Sequence, residues 1–397
     1  KYLGTFEAGT EATSASSLSA TTSTGYTLGG AFSGWNNSGG EYVSWTFRKE
    51  PKFFDIVTWT GDGTGTRDIA HNLGTTVGMI VMKQRTSNLY SWLVYHRGYT
   101  SNVGSLNSTA AFNFSSLIVR PTPSQETTHF QVSGTYNGSG ETHVAYLFAH
   151  NNNDGGFGPD SEDIIKCGAT GAYTAGTPLA VNLGFEPQWM LVKRYDGTDG
   201  WYITDTMRGM EVYEGAYLRA DSSNVETDSA NYGVAAPTPT GFILDPGSSS
   251  LLASGNYIYM AIRRPDMSTP TVASEVFSID SQGSSAPYFD STHIVDMALV
   301  RPMGSGGSGG GGAFNYARLI GEKYLKTSGT NAEANASEAG FDFMNGHIDQ
   351  NWGGTNTYSW MWKRARGYFD VVAYTGTGSG AQNVSHNLGV VPEMMWI

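Results

Sequence analysis

The chain has 397 residues, with 52 glycines, 13% aromatic residues and only 15% charged residues. Disordered chains are highly charged and poor in aromatic residues, and long helical proteins are rich in Ala, Glu, Lys and Leu, so this composition excludes both classes. The net charge is −12 and the Lys and Arg residues are scattered singly, which argues against a nucleic-acid partner. No apolar run reaches the length of about 18 residues that a membrane-spanning helix needs, and we expect no membrane insertion.

The predicted elements in the best-defined part of the chain are all strands. Alternating β-branched and aromatic residues, interrupted by Gly-rich turns, predict strands at residues 54–60, 68–73, 79–85, 92–96, 128–133 and 142–148. Short strands at this spacing are typical of antiparallel sandwiches and barrels. Helical periodicity is nearly absent, and short helices are predicted only at residues 207–218 and 321–336.

The same pattern recurs along the chain. The motifs Ser-Trp-Thr-Phe, Phe-Asp-Ile-Val and His-Asn-Leu-Gly between residues 43 and 74 return between residues 358 and 389, all at one offset of 315 residues (358 − 43). Intermediate copies of the apolar strand and of the Asn-Leu-Gly turn divide this interval into three, which gives a mean repeat of 105 residues (315/3). A repeat of this size matches an independent domain, so we expect separate globules joined by short linkers.

Alignment of the copies divides the chain into five repeats, which we number in order. Residues 1–51 are the latter half of a β-sandwich repeat, and residues 52–153, 154–266 and 267–366 are three complete β-sandwich repeats. Residues 367–397 are the first part of a further, truncated repeat. We interpret the sequence as a window on a longer array. The alternative is that the two terminal pieces complete one another, within one chain or between neighbouring chains.

Two histidines and one cysteine are the candidates for catalysis. His71 and His386 lie in the recurring His-Asn-Leu-Gly motif, where a histidine can act as a general base. The third repeat has Val181 at that position, which favours a structural role in a turn whose glycine takes a positive φ. Cys167 has no nucleophile signature, and the sequence contains no Gly-x-Ser-x-Gly elbow, Walker loop or His-Glu-x-x-His motif. We therefore expect no catalytic residue.

The loops at residues 61–65 and 196–200 have the Asp and Gly content of calcium loops. Both lack the regularly spaced carboxylates and the distant Glu that a calcium loop needs, and both have the composition of ordinary β-turns. We therefore expect no metal and no cofactor.

The aromatic residues fall into two groups. Trp92, Trp201 and Phe314 occupy one recurring position, and their recurrence favours core anchors over sugar-stacking platforms. Aromatic residues found in only one copy are the better ligand candidates, because a binding site need not recur. These candidates, all near predicted loops, are Trp35, Tyr90, Tyr195, Tyr213 and Trp352.

The recurring motifs resemble a repeat of long virion structural proteins of marine tailed phages, including tail-fibre-like chains. The likeness covers nearly the whole chain, and in the second repeat the matching segments are residues 56–61, 71–74, 79–83, 92–98 and 143–148. The fourth repeat departs most, because residues 290–293 replace the Asn-Leu-Gly turn and a poly-Gly segment replaces a polar loop. The resemblance implies a jelly-roll-like or concanavalin-like sandwich.

The sequence thus predicts an all-β chain of tandem antiparallel β-sandwich domains of about 105 residues. The expected function is that of a non-enzymatic structural or adhesive component of a virion, a fibre-like array that presents loops to a host surface with avidity from repetition. Expected partners are further copies of the chain, other virion proteins and a host surface glycan. Two alternatives remain: a bacterial surface adhesin or extracellular filament subunit, and a glycan depolymerase with its active site between repeats.

Overall fold

The computed structural model shows an all-β chain of antiparallel sheets, as the sequence predicts. It describes the whole chain except residues 15–17, 24, 30–35, 39, 41, 116–117, 159–160, 212–214, 228–231, 248, 266–268, 304–311, 322, 337–339, 342, 349–355, 375, 377 and 379. In the first repeat, β1 (Leu18–Thr21) pairs with β2 (Tyr26–Leu28). No helix in the described part of the chain is long and apolar enough to cross a membrane.

The second repeat is a sandwich of a large and a small sheet. Its strands are β3 (Phe54–Thr60), β4 (Thr66–Ala70), β5 (Val77–Gln84), β6 (Leu93–His96), β7 (Tyr99–Ser105), β8 (Phe114–Ser115), β9 (Val119–Pro121), β10 (His129–Ser133) and β11 (Thr142–Ala149). The large sheet has the order β3-β11-β5-β6-β7-β8, and the small sheet has the order β4-β10-β9. All six predicted strands are present, and β3 occupies the residues that the alternating pattern predicts.

The third repeat has the same plan. Its strands are β12 (Ile165–Tyr173), β13 (Leu179–Asn182), β14 (Pro187–Arg194), β15 (Trp201–Asp205), β16 (Leu218–Arg219), β17 (Ala235–Thr238), β18 (Gly241–Leu244) and β19 (Gly255–Arg263). The large sheet β12-β19-β14-β15-β16 faces the small sheet β13-β18-β17. The inner core between them includes Met190, Phe242 and Tyr259.

The fourth repeat also has a large and a small sheet. Its strands are β20 (Phe277–Ser281), β21 (Phe289–Asp290), β22 (Met297–Pro302), β23 (Phe314–Ala317), β24 (Lys323–Lys326), β25 (Ala334–Asn335), β26 (Gly346–His347) and β27 (Thr357–Trp362). The large sheet has the order β20-β27-β22-β23-β24-β25, and β21 pairs with β26. Among the described residues after 366 there is no strand.

The helices predicted at residues 207–218 and 321–336 are wrong. The second of these segments contains β24 and β25, and the first ends at the start of β16. The helices in the described residues are three short 3-10 turns, at Gly134–Asn137, Ala273–Glu275 and Arg318–Ile320. In the second segment, local helix propensity is overridden by the pairing of β24 with β23 and β25.

Strand β5 shows how the large sheet of the second repeat is buried on both faces. All eight of its residues are buried. Side chains alternate between the faces of a sheet, so Ile80 and Met82 point to the side of Trp59, whose ring lies 5.6 Å from Phe130 of the small sheet. Met79 and Val81 point to the opposite side, which the third repeat and the N-terminal segment cover.

The expectation of separate globules is wrong for the second and third repeats. Met79 and Leu147 of the second repeat belong to the same apolar core as Ile165, Leu191 and Met260 of the third. The physical reason is that both large sheets carry apolar side chains on both faces, and each must bury its outer face against another element. The fourth repeat keeps a core of its own around Phe289, Val300, Phe314 and Met361.

Candidate functional site: the junctions between the repeats

The structure places two of the five predicted ligand residues, Tyr90 and Tyr195; Trp35, Tyr213 and Trp352 lie outside the described residues. The ring of Tyr90 is half-buried, with its centroid 4.9 Å from that of Tyr136. Its carbonyl accepts a hydrogen bond of 3.0 Å from the ammonium of buried Lys83. Tyr90 is therefore held by its own repeat.

Tyr195 lies at the junction of the second and third repeats. Its ring stacks on Tyr99 with the centroids 4.2 Å apart and the planes at 19°. Its carbonyl accepts a hydrogen bond of 2.9 Å from the backbone N–H of Phe112. These contacts give Tyr195 a packing role, and a ligand-binding role for Tyr90 or Tyr195 stays a prediction.

The His-Asn-Leu-Gly motif builds a turn that closes on itself. The Nδ1 atom of His71 accepts the N–H of Leu73 at 3.2 Å, and the carboxylate of Asp55 accepts the N–H of Asn72 at 2.8 Å. Burial lowers the pKa of His71, which favours the neutral ring that this acceptor role requires. The predicted positive φ is confirmed in all three copies of the motif: Gly74 has φ +66°, Gly184 +78° and Gly389 +75°.

The two Asp-rich loops use their carboxylates within the turns. Asp62 accepts hydrogen bonds from the hydroxyl of Thr64 at 2.7 Å and from its backbone N–H at 2.9 Å, and these bonds lower the pKa of Asp62 to about 2. Asp196 accepts from Arg194 at 2.8 Å and from the amide of Asn256 at 2.7 Å. Across the described part of the chain, no group of three or more His, Cys, Asp or Glu residues is arranged to hold a metal ion.

The recurring tryptophan lies at the junctions between repeats. Trp92 and Trp201 are 3% and 1% exposed, as expected of core anchors. The indole N–H of Trp92 donates to the carbonyl of Gly4 at 2.8 Å, and that of Trp201 donates to the carbonyl of Ser105 at 2.8 Å. In the alignment of the repeats, Gly4 and Ser105 are equivalent, so one and the same bond joins the first repeat to the second and the second to the third.

A backbone hydrogen bond recurs at the same two junctions. The N–H of Glu11 donates to the carbonyl of Arg85 at 3.0 Å, and the N–H of Phe112 donates to the carbonyl of Tyr195 at 2.9 Å. Glu11 is equivalent to Phe112 and Arg85 to Tyr195, because they lie seven residues after Gly4 and Ser105 and two residues after Lys83 and Lys193. The second repeat therefore contacts the first as the third contacts the second.

Trp45 connects the first repeat to the third. Its indole N–H donates to the carboxylate of Asp205 at 3.0 Å, its ring lies 6.4 Å from that of Trp189, and the guanidinium of Arg208 lies 5.3 Å from its centroid. Asp205 is the last residue of β15, and His96 is the last residue of the equivalent strand β6. The contact of Trp45 with Asp205 therefore has a counterpart between the second and third repeats.

That counterpart is formed by His96, whose Nε2 lies 3.0 Å from the carbonyl oxygen of Tyr259. Burial lowers the pKa of His96 to about 3. Tyr259 is equivalent to Ser44, the neighbour of Trp45, so the end of the β6-type strand contacts the last strand segment of the next repeat in both cases. The contacts thus run from first to second, second to third and third to first, and the three repeats surround one core in cyclic order.

A buried ion network connects the third repeat to the fourth. The guanidinium of Arg364 donates to both carboxylate oxygens of Glu186, at 2.7 and 2.8 Å, and to Asp370 at 2.6 Å. Burial disfavours the charged guanidinium, but the hydrogen bonds and charge of Glu186 outweigh this effect and raise the pKa of Arg364. The network borders a cleft of about 580 Å³ that Arg264 and Asp296 also line.

The sequence patterns did not predict these contacts between repeats. The signal for Trp45 and Phe47 is their recurrence as Trp360 and Trp362, which marks an apolar outer face. The signal for Arg364 and Asp370 is their counterpart Lys49–Asp55, an ion pair of 2.9 Å at the same 315-residue offset.

The comparisons with known proteins give one family. A family model described as a domain of unknown function (DUF7483) matches residues 1–265, two thirds of the chain, and its end coincides with the end of β19 and of the third repeat. No curated protein and no solved structure matches the chain. The chain belongs to the DUF7483 family.

Proposed function

We propose that this chain is a non-enzymatic structural component of a virion, a fibre-like appendage that bears loops for attachment to a host surface. The observation that carries the proposal is the common core of the first three repeats. Equivalent hydrogen bonds from Trp92 and Trp201 join each repeat of this core to the one before it. Arrays of separate beads bend at each linker, whereas repeats that share a large apolar interface do not move independently. Three repeats packed around a common core therefore form one rigid unit, which suits a structural role.

The sequence resemblance to tail-fibre-like chains of marine tailed phages supports the same role. The loops at residues 61–65 and 196–200 use the carboxylates of Asp62 and Asp196 in local hydrogen bonds, so these two residues serve the fold. Attachment would then be the task of exposed loops, and repetition would supply avidity to individually weak contacts.

Immunogold electron microscopy tests the virion assignment. Antibodies raised against the purified chain would be applied to particles and to cells of the source that encodes it, with pre-immune serum as the control. We expect gold along projections of the particles. Gold on the cell surface without particles would overturn the proposal in favour of an adhesin or cell-surface filament.

Incubation with host surface polysaccharide tests the non-enzymatic part. We expect the polysaccharide to keep its length in size-exclusion chromatography. Shortened chains would contradict the proposal and favour a depolymerase, and loss of cleavage on replacing one Asp or Glu would then locate its active site.

A further inference from the structure

Three buried polar side chains form a row across the large sheet of the second repeat. Trp59 of β3 pairs with His143 of β11, and His143 pairs with Gln84 of β5, so the three side chains lie side by side on one face. This is the inner face, which the small sheet covers. The rings of Trp59 and His143 are stacked, with their centroids 5.0 Å apart and their planes at 10°. We call these three residues the polar row.

The polar row is shielded from solvent and has no protein partner. Gln84 and His143 are 0% exposed and Trp59 is 8% exposed. The indole N–H of Trp59, both ends of the Gln84 amide and both ring nitrogens of His143 have no hydrogen-bond partner among the described residues. About 90% or more of buried polar groups in folded proteins are hydrogen-bonded, because an unbonded one has lost its bonds to water without replacement. Five such atoms in one row indicate a bound guest.

The third repeat has a pair of side chains at the equivalent place. Arg194 of β14 pairs with Tyr257 of β19, as Gln84 pairs with His143. In both repeats the pair stands one residue after the buried lysine of the central strand, and on the inner face of the large sheet. The two repeats can therefore be compared group by group.

Two carboxylates satisfy this pair in the third repeat. The guanidinium of Arg194 donates to Asp196 at 2.8 Å, and the hydroxyl of Tyr257 donates to Asp199 at 2.8 Å. Both acids belong to the loop that connects β14 with β15. The corresponding loop of the second repeat, residues 85–91, contains no Asp or Glu. The second repeat thus has buried polar side chains but lacks the acids that bond their counterparts.

The polar row offers donors and acceptors without a net charge. Trp59 can only donate, whereas the amide of Gln84 and a neutral imidazole each provide a donor and an acceptor. Burial lowers the pKa of His143 to about 4, so its ring is neutral at neutral pH. The N–H groups disfavour a cation, and the amide oxygen and the unprotonated ring nitrogen disfavour an anion. Gln84 and His143 are also smaller than Arg194 and Tyr257, which favours a small guest.

We infer that the polar row of the second repeat is a binding site for buried water, which joins Trp59, Gln84 and His143 in the role that the two loop carboxylates have in the third repeat. Water donates and accepts hydrogen bonds equally, and buried waters in proteins characteristically bond polar groups that have no other partner. All three strands that form the site belong to one repeat and are described in full, so the site does not depend on a neighbouring repeat.

Rotating-frame Overhauser spectroscopy between water and the indole N–H groups of the whole chain tests the inference. We expect a cross-peak from water to the N–H of Trp59, with the sign that distinguishes bound water from proton exchange, and Trp59→Phe assigns the signal by removing it. Trp92 and Trp201 are the matched controls, because their buried N–H groups donate to backbone carbonyls, and we expect no cross-peak from them. A Trp59 signal without a cross-peak to water would overturn the inference.

The variant Gln84→Met gives a second readout. Methionine keeps the length of the side chain and removes its polar atoms. If water bonds the amide, the substitution removes those bonds and lowers the midpoint of urea unfolding, whereas removal of an unbonded buried amide raises the midpoint or leaves it unchanged. We expect a lower midpoint for Gln84→Met and an unchanged one for the control Gln125→Met, whose side chain is exposed in the same repeat.

Two further results would overturn the inference. One is a midpoint for Gln84→Met at or above that of the unaltered chain. The other is a melting temperature that a metal chelator lowers in the unaltered chain but not in Gln84→Met, because the guest would then be a metal ion. All of these measurements concern the interior of the second repeat, and none bears on the virion proposal, which immunogold labelling tests by itself.

Discussion

Trp201 shows how one side chain belongs to two repeats. Its ring fills the core beside Phe112 of the second repeat, with the centroids 5.8 Å apart, while its N–H satisfies the carbonyl of Ser105. A buried carbonyl that loses its donor costs about 1–3 kcal/mol, so this bond is worth more to the junction than its net strength suggests.

Replacing this tryptophan with phenylalanine tests the bond. Trp201→Phe keeps an aromatic ring but removes the N–H, and we expect a loss of about 1–3 kcal/mol in the free energy of unfolding measured with urea. Trp92→Phe removes the equivalent bond to Gly4 and should cost a similar amount. Unchanged midpoints for both variants would contradict the role of the indole N–H.

Substitution of the glycine in the His-Asn-Leu-Gly motif tests whether the turn needs a positive φ. Gly74 has φ +66°, and no atom lies within 4 Å of an added Cβ, so Gly74→Ala introduces backbone strain without a clash. We expect a loss of about 1 kcal/mol in thermal or urea unfolding. Gly65→Ala is the control, because its Cβ also meets open space and its φ lies outside the left-handed region. Equal effects of the two substitutions would contradict the account of this turn.

At the scale of the elements, the sequence predicts strands well and their outer contacts poorly. Alternation places β3 correctly because β3 has one face on its own small sheet. The continuous apolar run of β5 signals burial on both faces, as in sheets covered on both sides, but it does not identify the covering partner. The strand β7 lacks a regular pattern, since its first residues are exposed and its last are buried at the junction.

In the candidate site, too, the sequence predicts local geometry but not contacts between distant residues. The turn role of Gly74 is predictable because φ is a local property. The packing of Tyr195 on Tyr99 and the bond from Trp201 to Ser105 are not, because both partners lie about 100 residues away and no local pattern specifies them.

The junction between the third and fourth repeats rests on Arg364. Within the described part of the chain, Arg364→Met leaves the buried carboxylate of Glu186 with Arg264 as its remaining ion-pair partner, at 3.9 Å, and we expect a loss of about 3–5 kcal/mol in unfolding free energy. Adding Glu186→Leu removes one of the two carboxylates that lose this partner and should recover part of the loss, while Asp370 keeps its hydrogen bonds from the backbone N–H groups of Val371 and Asn387. Lys323→Met, in the ion pair with Glu333, whose side chain is 36% exposed, is the control and should cost less than about 1 kcal/mol. A double variant no more stable than the single one would contradict a buried charge pair.

At the scale of the whole molecule, three repeats act as one unit and the fourth begins the next. The family match ends with the third repeat. The 315-residue offset equals three repeats, and it also relates two backbone hydrogen bonds of 2.7 Å, from the N–H of Lys52 to the carbonyl of Leu73 and from the N–H of Gly367 to the carbonyl of Leu388.

Four buried or half-buried histidines make the stability of the molecule sensitive to acid. Burial lowers the pKa of His96 to about 3 and those of His143, His150 and His347 to about 4, from 6.5 in an unfolded chain. The unfolded chain therefore takes up protons first, so the contribution of these four histidines to stability is complete above pH 6.5 and falls as the pH drops from 6.5 toward about 4.

For His96 alone the slope is about 1.4 kcal/mol per pH unit over this range. Urea unfolding at several pH values measures it, and His96→Gln, which keeps a polar group near the carbonyl of Tyr259, should flatten the profile. A variant profile parallel to that of the unaltered chain would contradict the assignment.

Hydrogen exchange under mild denaturant, read by mass spectrometry on peptides from β5 and β14, tests the common core most directly. If the second and third repeats unfold as one body, both strands exchange with the same free energy and the same denaturant dependence, and Trp201→Phe lowers both equally. The contrary result is that β14 loses protection in the variant while β5 keeps it, which would mean that the repeats are independent beads.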